Sequence, residues 1–253
     1  MNRVLCAILV FGVCLGAGSA TSGDVTLTYI GHACFTIQEE GGPIVMLDPF
    51  DPSLTYPGLP RPADVVLISH GHADHCWTMS AEGTPVLVWP ETDATGGALE
   101  KEWEVYDGLT VRSVGAEHST PENPGAGLNT MLSFEIGGIR FAHLGDLGLV
   151  LTPEQIRKLG EVDVLLLPTG DTYTIGPEEA VEVISLVKPR IAIPMHYRVS
   201  SCTPDHYRIL PVSVFKDQVE ETYPTLTLSV SEIALSIETL PDSTEVWILR
   251  HDR

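Results

Sequence analysis

Four side chains that can bind a divalent metal stand close together in the chain: His70, His72, Asp74 and His75. Neutral imidazoles and carboxylates are ligands that zinc and similar divalent ions accept. The first two histidines are separated by the small residue Gly71, so the backbone can fold tightly around an ion. We therefore predict a metal site in this stretch, in preference to a polar surface turn that carries solvated histidines.

A short apolar segment leads into this cluster and positions it. Residues 64–69 read Asp-Val-Val-Leu-Ile-Ser and predict a buried strand, since apolar residues lie between Pro62 and Gly71. Single potential ligands follow three further predicted strands, and they are His118, Asp146 and His196. A lone histidine or aspartate at a strand end is usually an ordinary polar residue, so their significance depends on the order of all the ligands together.

The predicted elements indicate how the strands are arranged. Strands are expected at 25–30, 33–38, 44–47, 64–69, 85–89, 109–114, 129–136, 139–143, 162–167, 190–194, 225–230, 233–238 and 245–249. Helices are expected at 76–82, 152–160, 177–188 and 214–221, with loop or weak helix at 91–102. The segment 162–167 is apolar apart from Asp163, so both of its faces are expected to be covered. Two stacked sheets with helices outside satisfy this requirement, which makes the chain an α/β protein.

Composition limits the partners. The chain has 253 residues and a formal charge of -20, with 34 acidic against 14 basic side chains. Such a charge repels polyanions, so nucleic acid is not an expected partner and a small-molecule substrate is favoured. No segment after the N-terminus is long and apolar enough to predict a stable membrane anchor, and the sequence does not indicate an oligomeric state.

The first 20 residues predict a secretory signal peptide. Arg3 supplies the positive charge, residues 4–16 are an apolar run too short to span a bilayer, and residues 17–20 read Ala-Gly-Ser-Ala, a small-residue cleavage site. The rest of the chain would then be a single domain at 21–253, in a secreted or periplasmic protein. Cleavage would leave Cys34, Cys76 and Cys202, so at most one internal disulfide can form and its pairing stays open. Cys76 could be a metal ligand, although a structural thiol is the favoured interpretation.

In this order, the ligands resemble those of the metallo-β-lactamase superfamily: His-x-His-x-Asp-His at 70–75, then His118, Gly145-Asp146 and His196. The resemblance covers nearly the whole mature chain. Three further motifs resemble the lactonase-like metal-dependent hydrolase branch, and they are Tyr-Ile-Gly-His-Ala at 29–33, Leu-Gly-Asp at 144–146 and Pro-Met-His-Tyr at 194–197.

The resemblance implies a four-layer αββα sandwich of two mixed sheets flanked by helices. It also implies two divalent ions, with zinc expected and manganese or iron as alternatives. One ion would be held by His70, His72 and His118, the other by Asp74, His75 and His196, and Asp146 would bridge them. Asp74 and His32 are candidate catalytic residues, with His32 either facing substrate or supporting the ligands. Weaker pocket candidates are Asp48, Thr169 and Tyr197.

These residues predict a secreted dinuclear hydrolase that uses a hydroxide shared by its two metals to cleave an ester, a lactone or a phosphodiester. No serine nucleophile is needed, so Ser69 is expected to form local hydrogen bonds. One alternative is a true β-lactamase, against which Asp146 speaks because cysteine or serine would be expected at its position. Another is a non-catalytic metal-binding protein.

Overall fold

The computed structural model describes residues 24–54, 56, 58–93, 97–106, 108–199 and 208–251. The predicted signal peptide and Cys202 lie outside the described residues. In chain order the strands are β1 (Val25–Gly31), β2 (Cys34–Glu39), β3 (Val45–Leu47), β4 (Arg61–Pro62), β5 (Val65–Leu67), β6 (Ala81–Glu82), β7 (Val86–Val88), β8 (Glu102–Tyr106), β9 (Leu109–Glu117), β10 (Leu128–Ile136), β11 (Ile139–His143), β12 (Val164–Pro168), β13 (Ile191–Met195), β14 (Thr225–Thr227), β15 (Glu232–Leu235) and β16 (Glu245–Ile248). The helices are α1 (Pro153–Leu159), α2 (Pro177–Val187) and α3 (Val212–Val219).

Two mixed sheets form the body of the molecule. The six-stranded sheet has the order β15-β1-β2-β3-β5-β7, and the eight-stranded sheet has the order β14-β16-β13-β12-β11-β10-β9-β8. In the first sheet β3, β5 and β7 are parallel to one another. In the second sheet the five neighbouring strands β11, β12, β13, β16 and β14 are parallel to one another. The C-terminal ends of parallel strands share one edge of a sheet, so residues that follow them come together there.

The apolar residues form three layers of core. The inner faces of both sheets meet in one cluster that includes Phe35 and Phe141. Helices α1, α2 and α3 cover the outer face of the eight-stranded sheet. Phe50, Leu54 and Tyr56 cover the outer face of the six-stranded sheet. The predicted sandwich of two mixed sheets is confirmed, with the described α-helices on one side and an irregular segment on the other.

Local sequence explains where the helices begin and end. At the start of α1 the Thr152 hydroxyl accepts from the Gln155 amide, and the Gln155 side-chain oxygen accepts from the Thr152 amide. Pro153 occupies the first turn, as predicted. Helix α2 likewise starts with Pro177 and ends at Val187, and the next residue, Lys188, caps it with a left-handed backbone before Pro189. Helix α3 begins and ends two residues earlier than predicted. Since no side chain caps its start, the burial of Phe215 and Val219 sets its position.

Two further segments differ from the sequence predictions. Residues 76–82 were expected to be helical but form a 3-10 turn, Thr78–Ser80, followed by β6. The Trp77 amide donates to Pro49 O and the Ser80 hydroxyl to Phe50 O, so this segment is tied to a neighbouring loop. Strand β8 was not predicted. It is an edge strand whose alternating half-buried and exposed residues pair only with β9.

Among the described residues, none of the helices combines the length and the apolar character that a bilayer crossing requires.

Candidate metal centre

The predicted ligands converge at one edge of the two sheets. The cluster at 70–75 follows β5, and the isolated ligands follow strands of the eight-stranded sheet: His118 follows β9, Asp146 follows β11 and His196 follows β13. All of them are buried except His72, which is exposed, and Asp74, which is half-buried. The sheets therefore bring together every metal ligand that the sequence predicts.

One group of donors consists of His70, His72 and His118. His72 Nδ1 lies 3.0 Å from His70 Nε2 and 3.0 Å from His118 Nε2. Nitrogen ligands about 2.0–2.1 Å from a tetrahedral zinc ion lie roughly 3.3 Å from one another, so this spacing fits a shared metal.

A second group consists of Asp74, His75 and His196, with His32 beside them. Asp74 Oδ2 lies 3.7 Å from His75 Nε2 and 3.1 Å from His32 Nε2. The ligand atoms of all four residues lie within 4.8 Å of one another. These donors, too, are spaced closely enough to surround one ion.

Asp146 lies between the two groups. Its Oδ2 is 3.5 Å from His118 Nε2 and 3.3 Å from His196 Nε2, so one oxygen faces a donor of each group. Its Oδ1 is 3.2 Å from His75 Nε2. Burial disfavours the charged form, but His196 and His75 outweigh that effect and hold the pKa of Asp146 well below its ordinary value. The carboxylate is therefore ionised and available to both groups.

The surroundings of His75 fit a bound cation. Its Nδ1 lies 2.8 Å from Asp48 Oδ2 and donates to that carboxylate, which leaves a lone pair on Nε2 in the neutral ring. That lone pair faces Asp146 Oδ1, and neither atom has a hydrogen-bond partner among the described residues. Two facing acceptors need a positive centre between them. Burial lowers the pKa of His75, but Asp146 and Asp74 outweigh it and raise that pKa well above the ordinary value, so this position favours a positive charge, either a proton on Nε2 or a metal ion.

Asp48 fixes the ring orientation of two ligands from beneath the centre. Besides accepting from His75, it accepts from the Ser69 amide at 2.7 Å and from the Ser69 hydroxyl at 2.5 Å. Since that hydroxyl has donated its proton, it accepts from Nδ1 of His70, 2.9 Å away, and the Nε2 lone pair of His70 is turned toward the centre. Burial raises the pKa of Asp48, but His143 and His75 outweigh it, and the net pKa is lowered. Such supporting hydrogen bonds hold metal-binding histidines in one tautomer. The local role expected for Ser69 agrees with this geometry.

The turn that carries Asp146 depends on a glycine and a buried asparagine. Gly145 has φ +53°, and a Cβ there would lie 2.2 Å from Asn129 Oδ1 and 2.6 Å from Ser69 Cβ. The Asn129 side chain donates to Leu144 O at 2.7 Å and accepts from the Asp146 amide at 3.0 Å. It therefore holds both sides of this turn. Sequence reasoning missed Asn129, because its partners lie 15 and 17 residues away along the chain.

His143 joins two turns of the centre and was also missed. Its Nδ1 accepts from the Gly145 amide at 3.2 Å, which leaves Nε2 to donate to Ala33 O at 2.9 Å. The ring is fully buried, and burial lowers its pKa, so it is a neutral imidazole with one fixed tautomer. It connects the turn that carries Asp146 to the turn that carries His32.

His32 is fully buried and does not line the cavity above the ligands. Its Nε2 contacts Asp74, its ring centroid lies 4.1 Å from that of His196, and its backbone is left-handed with φ 53°. Burial and the neighbouring His196 lower its pKa to about 3, so the ring is neutral. Of its two predicted roles, the geometry favours support of the ligands.

The weaker pocket candidates divide. Asp48 supports the ligands as described above, whereas Thr169 and Tyr197 do not reach the cavity over the centre. The Tyr197 hydroxyl donates to Leu249 O within the core between the sheets, and the Thr169 side chain is buried against Met195 O. Cys34 and Cys76 are free thiols, and Cys76 does not lie among the grouped metal donors of the described residues.

A cavity of about 250 Å³ opens above the ligands. Its walls include five predicted ligands and two residues that the sequence did not single out, and the full set is His72, Asp74, His118, Asn123, Asp146, Tyr173 and His196. Asn123 and Tyr173 lie in loops without a motif, so no sequence signal marked them.

Comparison with known proteins identifies related chains. Residues 26–196 match the family model described as beta-lactamase superfamily domain. A protein of Pelotomaculum thermopropionicum that is named a metal-dependent hydrolase is 34% identical over 192 residues, covering 68% of this chain and 83% of that protein. A metal-dependent hydrolase of Methanocaldococcus jannaschii is 32% identical over 192 residues, and the match covers 68% of this chain and 83% of that protein.

Solved structures are also similar. A candidate Zn-dependent hydrolase of the metallo-β-lactamase superfamily from Thermotoga maritima superposes with a TM-score of 0.67 at 33% identity. The match covers 90% of this chain and 100% of that chain. Igni18, a metallo hydrolase from Ignicoccus hospitalis, has a TM-score of 0.56 at 21% identity and shows likeness of fold alone. The predicted metallo-β-lactamase fold is confirmed.

Proposed function

Because this chain belongs to the metallo-β-lactamase superfamily and is a metal-dependent hydrolase, we propose that it binds two divalent ions and cleaves an ester, a lactone or a phosphodiester. The position of Asp146 carries this proposal, since its Oδ2 faces His118 of one donor group and His196 of the other. Two bound ions would supply an activated water and polarise the scissile oxygen.

The residues of the chain have distinct roles in this proposal. His70, His72 and His118 would hold one ion, Asp74, His75 and His196 would hold the other, and Asp146 would contribute to both. Zinc suits the histidine-rich donors, and manganese or iron remain alternatives because of the carboxylates. His32 is a positioning residue that donates to Asp74 and keeps that carboxylate aimed at the centre. Asp74 is the candidate acceptor of the proton released when water attacks.

Size and charge support a small-molecule substrate. The cavity of about 250 Å³ is small for a polymer chain, and the formal charge of -20 disfavours nucleic acid. A β-lactam remains the alternative substrate. The carboxylate of Asp146 at the shared ligand position is evidence against it, because cysteine or serine would be expected there in a β-lactamase. A metal-binding protein without activity would not need an open cavity above its ligands.

The test is metal analysis of the purified protein together with hydrolysis assays on esters, lactones, phosphodiesters and β-lactams. We expect two metal equivalents and turnover of at least one of the first three classes. Chelation should abolish the activity and added metal should restore it. Activity should also fall below about pH 6, because the histidine ligands must be neutral to bind metal. Turnover of β-lactams alone, or a rate independent of metal, would refute the proposal.

Export is a separate proposal and rests on the sequence of residues 1–20. Intact-mass measurement of the native protein should find a chain that lacks about its first 20 residues. A native chain that begins at Met1 would contradict a secreted or periplasmic location.

A further inference from the structure

Tyr173 is held at the edge of the cavity by an unfavourable turn. Asp171 and Thr172, the two residues before it, both have left-handed backbones, with φ 62° and 59°. Left-handed conformations cost free energy in residues other than glycine, and they persist where the surrounding structure enforces them, often at ligand sites. The Tyr173 amide donates to Asp171 O at 2.6 Å, which closes this turn.

Side-chain hydrogen bonds tie this turn to two neighbouring segments. The Thr120 hydroxyl donates to Thr172 O at 2.8 Å and accepts from the Asn123 amide at 3.0 Å. On the other side, the Thr172 hydroxyl donates to Arg208 O at 2.9 Å. Asn123, Tyr173 and Arg208 therefore belong to one connected rim, and two of them line the cavity above the metal ligands.

Arg208 places a positive charge on this rim. Its guanidinium carbon lies 5.7 Å from the centroid of the Tyr173 ring, and the side chain is exposed. In contrast to Arg112 and Arg140, which are paired with glutamate or aspartate, Arg208 forms no salt bridge among the described residues. Because it contacts Tyr173, which lines the cavity, and has no carboxylate partner in the described part of the chain, Arg208 is available to bind an anion there.

We infer that Arg208 and Tyr173 form a subsite for a compact oxyanion of the substrate, a carboxylate or a phosphate, remote from the bond that is cleaved. This inference rests on the proposed function and adds the substrate class to it. A guanidinium offers paired N–H donors that match the oxygens of either group. The tyrosine ring holds the guanidinium by a cation–π contact and limits its freedom before the substrate binds.

The first test compares two esters with the same scissile bond, para-nitrophenyl acetate and the para-nitrophenyl monoester of glutaric acid, which adds a remote carboxylate. The wild-type protein should have a higher kcat/KM for the anionic ester. In Arg208→Gln the ratio of kcat/KM, anionic to neutral, should fall by about 10-fold or more, since a hydrogen bond to a charged group contributes roughly 1.5–3 kcal/mol. Arg157→Gln removes the same charge from an exposed position on α1 and should leave the ratio unchanged.

The second test measures binding and does not depend on turnover. Benzoate and phenyl phosphate are titrated into the metal-loaded wild type, Arg208→Gln, Tyr173→Ala and Arg157→Gln, with calorimetric detection. The Arg208 and Tyr173 variants should bind at least one probe about 10-fold more weakly than the control variant, and the weakened probe identifies the anion as carboxylate or phosphate.

The outcomes separate the two proposals. Equal binding of both probes by Arg208→Gln and Arg157→Gln would overturn the anion subsite, even if neutral esters are cleaved. Weaker binding by Arg208→Gln in a protein that cleaves no ester, lactone or phosphodiester would support the subsite and refute the proposed reaction. Circular dichroism of each variant establishes that a loss of binding is not a loss of fold.

Discussion

The two sheets supply the metal centre in different ways. The six-stranded sheet contributes four donors from one short stretch that follows β5, and the eight-stranded sheet contributes His118, Asp146 and His196 from the ends of three separate strands. The first set, residues 70–75, is referred to below as the compact half, and the second set as the dispersed half. The compact half is brought together by local sequence, whereas the dispersed half exists only once the sheet has formed.

The supports beneath the two halves differ as well. One carboxylate, Asp48, orients His75 directly and His70 through Ser69, so the compact half depends on side-chain hydrogen bonds. The dispersed half depends on the backbone: Gly145 permits a close turn, and Asn129 bonds to both sides of it. Loss of an orienting group should therefore affect metal affinity in the compact half, and loss of turn geometry should affect stability in the dispersed half.

Asp146→Ala should have the largest effect, because Asp146 is the point where the halves meet. Its two oxygens face His75, His118 and His196, so removing them deprives both donor groups of a ligand. We expect the loss of at least one metal equivalent and of nearly all activity. Metal content by mass spectrometry and the rate of hydrolysis are the two measurements.

Glu117→Ala is the matched control for that substitution. Glu117 is exposed and adjacent in sequence to a ligand, His118, but its side chain lies on the other side of β9. Its removal should leave the metal content unchanged. Full metal content and full turnover in Asp146→Ala would show that the two donor groups do not share this residue.

The same division explains what the sequence could predict. The compact half was visible because its donors are neighbours, and the sandwich was visible because largely apolar strands such as 162–167 must be covered on both faces. The isolated residues His118, Asp146 and His196 could be predicted as metal ligands only because their order resembles that of a known family. Asn129, His143 and Tyr173 carry no such signal, because their roles come from partners that are distant in sequence.

Asp48→Ala should have the second largest effect and should reach both donor groups. His75 and His70 would both lose the hydrogen-bond network that fixes their tautomers. Loss of such supporting groups weakens metal affinity by about 10–100-fold. Equilibrium dialysis with a competing chelator measures the affinity of each site.

Ser69→Ala sharpens this prediction, since Ser69 contacts the His70 ring but not the His75 ring. It should weaken only the site that contains His70. Equal weakening of both sites in Ser69→Ala would indicate that the network responds as one unit and that Asp48 does not act on each histidine separately.

Gly145→Ala tests the dispersed half. The new methyl group would overlap Asn129 Oδ1 at 2.2 Å, in a backbone conformation with φ +53° that alanine disfavours. We expect the free energy of unfolding of the apoprotein to fall by about 2 kcal/mol, from strain and overpacking together. Gly71→Ala is the control in the compact half, because a Cβ there meets no atom within 4 Å. Denaturant unfolding that gives the same value for both variants would remove the distinction between the halves.

The smallest effect concerns strand alignment far from the centre. Asp163, which directly precedes β12, accepts from the Arg140 amide at 3.0 Å and from Arg140 Nε at 2.7 Å, and so joins β12 to β11, the strand that leads to Asp146. Burial raises the pKa of Asp163, but its hydrogen bonds with Arg140 outweigh that effect and lower the pKa. A carboxyl group whose pKa is lower in the folded state stabilises that state above the unfolded pKa, about 3.9, and loses this contribution as the pH falls through the folded pKa.

Asp163→Asn should therefore lower the free energy of unfolding at pH 7 by about 1 kcal/mol, a modest value because Arg140 is 38% exposed and its charge is screened by solvent. The difference from wild type should shrink as the pH falls below about 4, where the wild-type carboxyl group also becomes neutral. Urea unfolding at a series of pH values measures it. Glu161→Gln is the control, since Glu161 pairs with the same arginine but is 85% exposed and should contribute less. A difference between wild type and Asp163→Asn that stays constant with pH would mean that shape, and not charge, aligns the strands of the dispersed half.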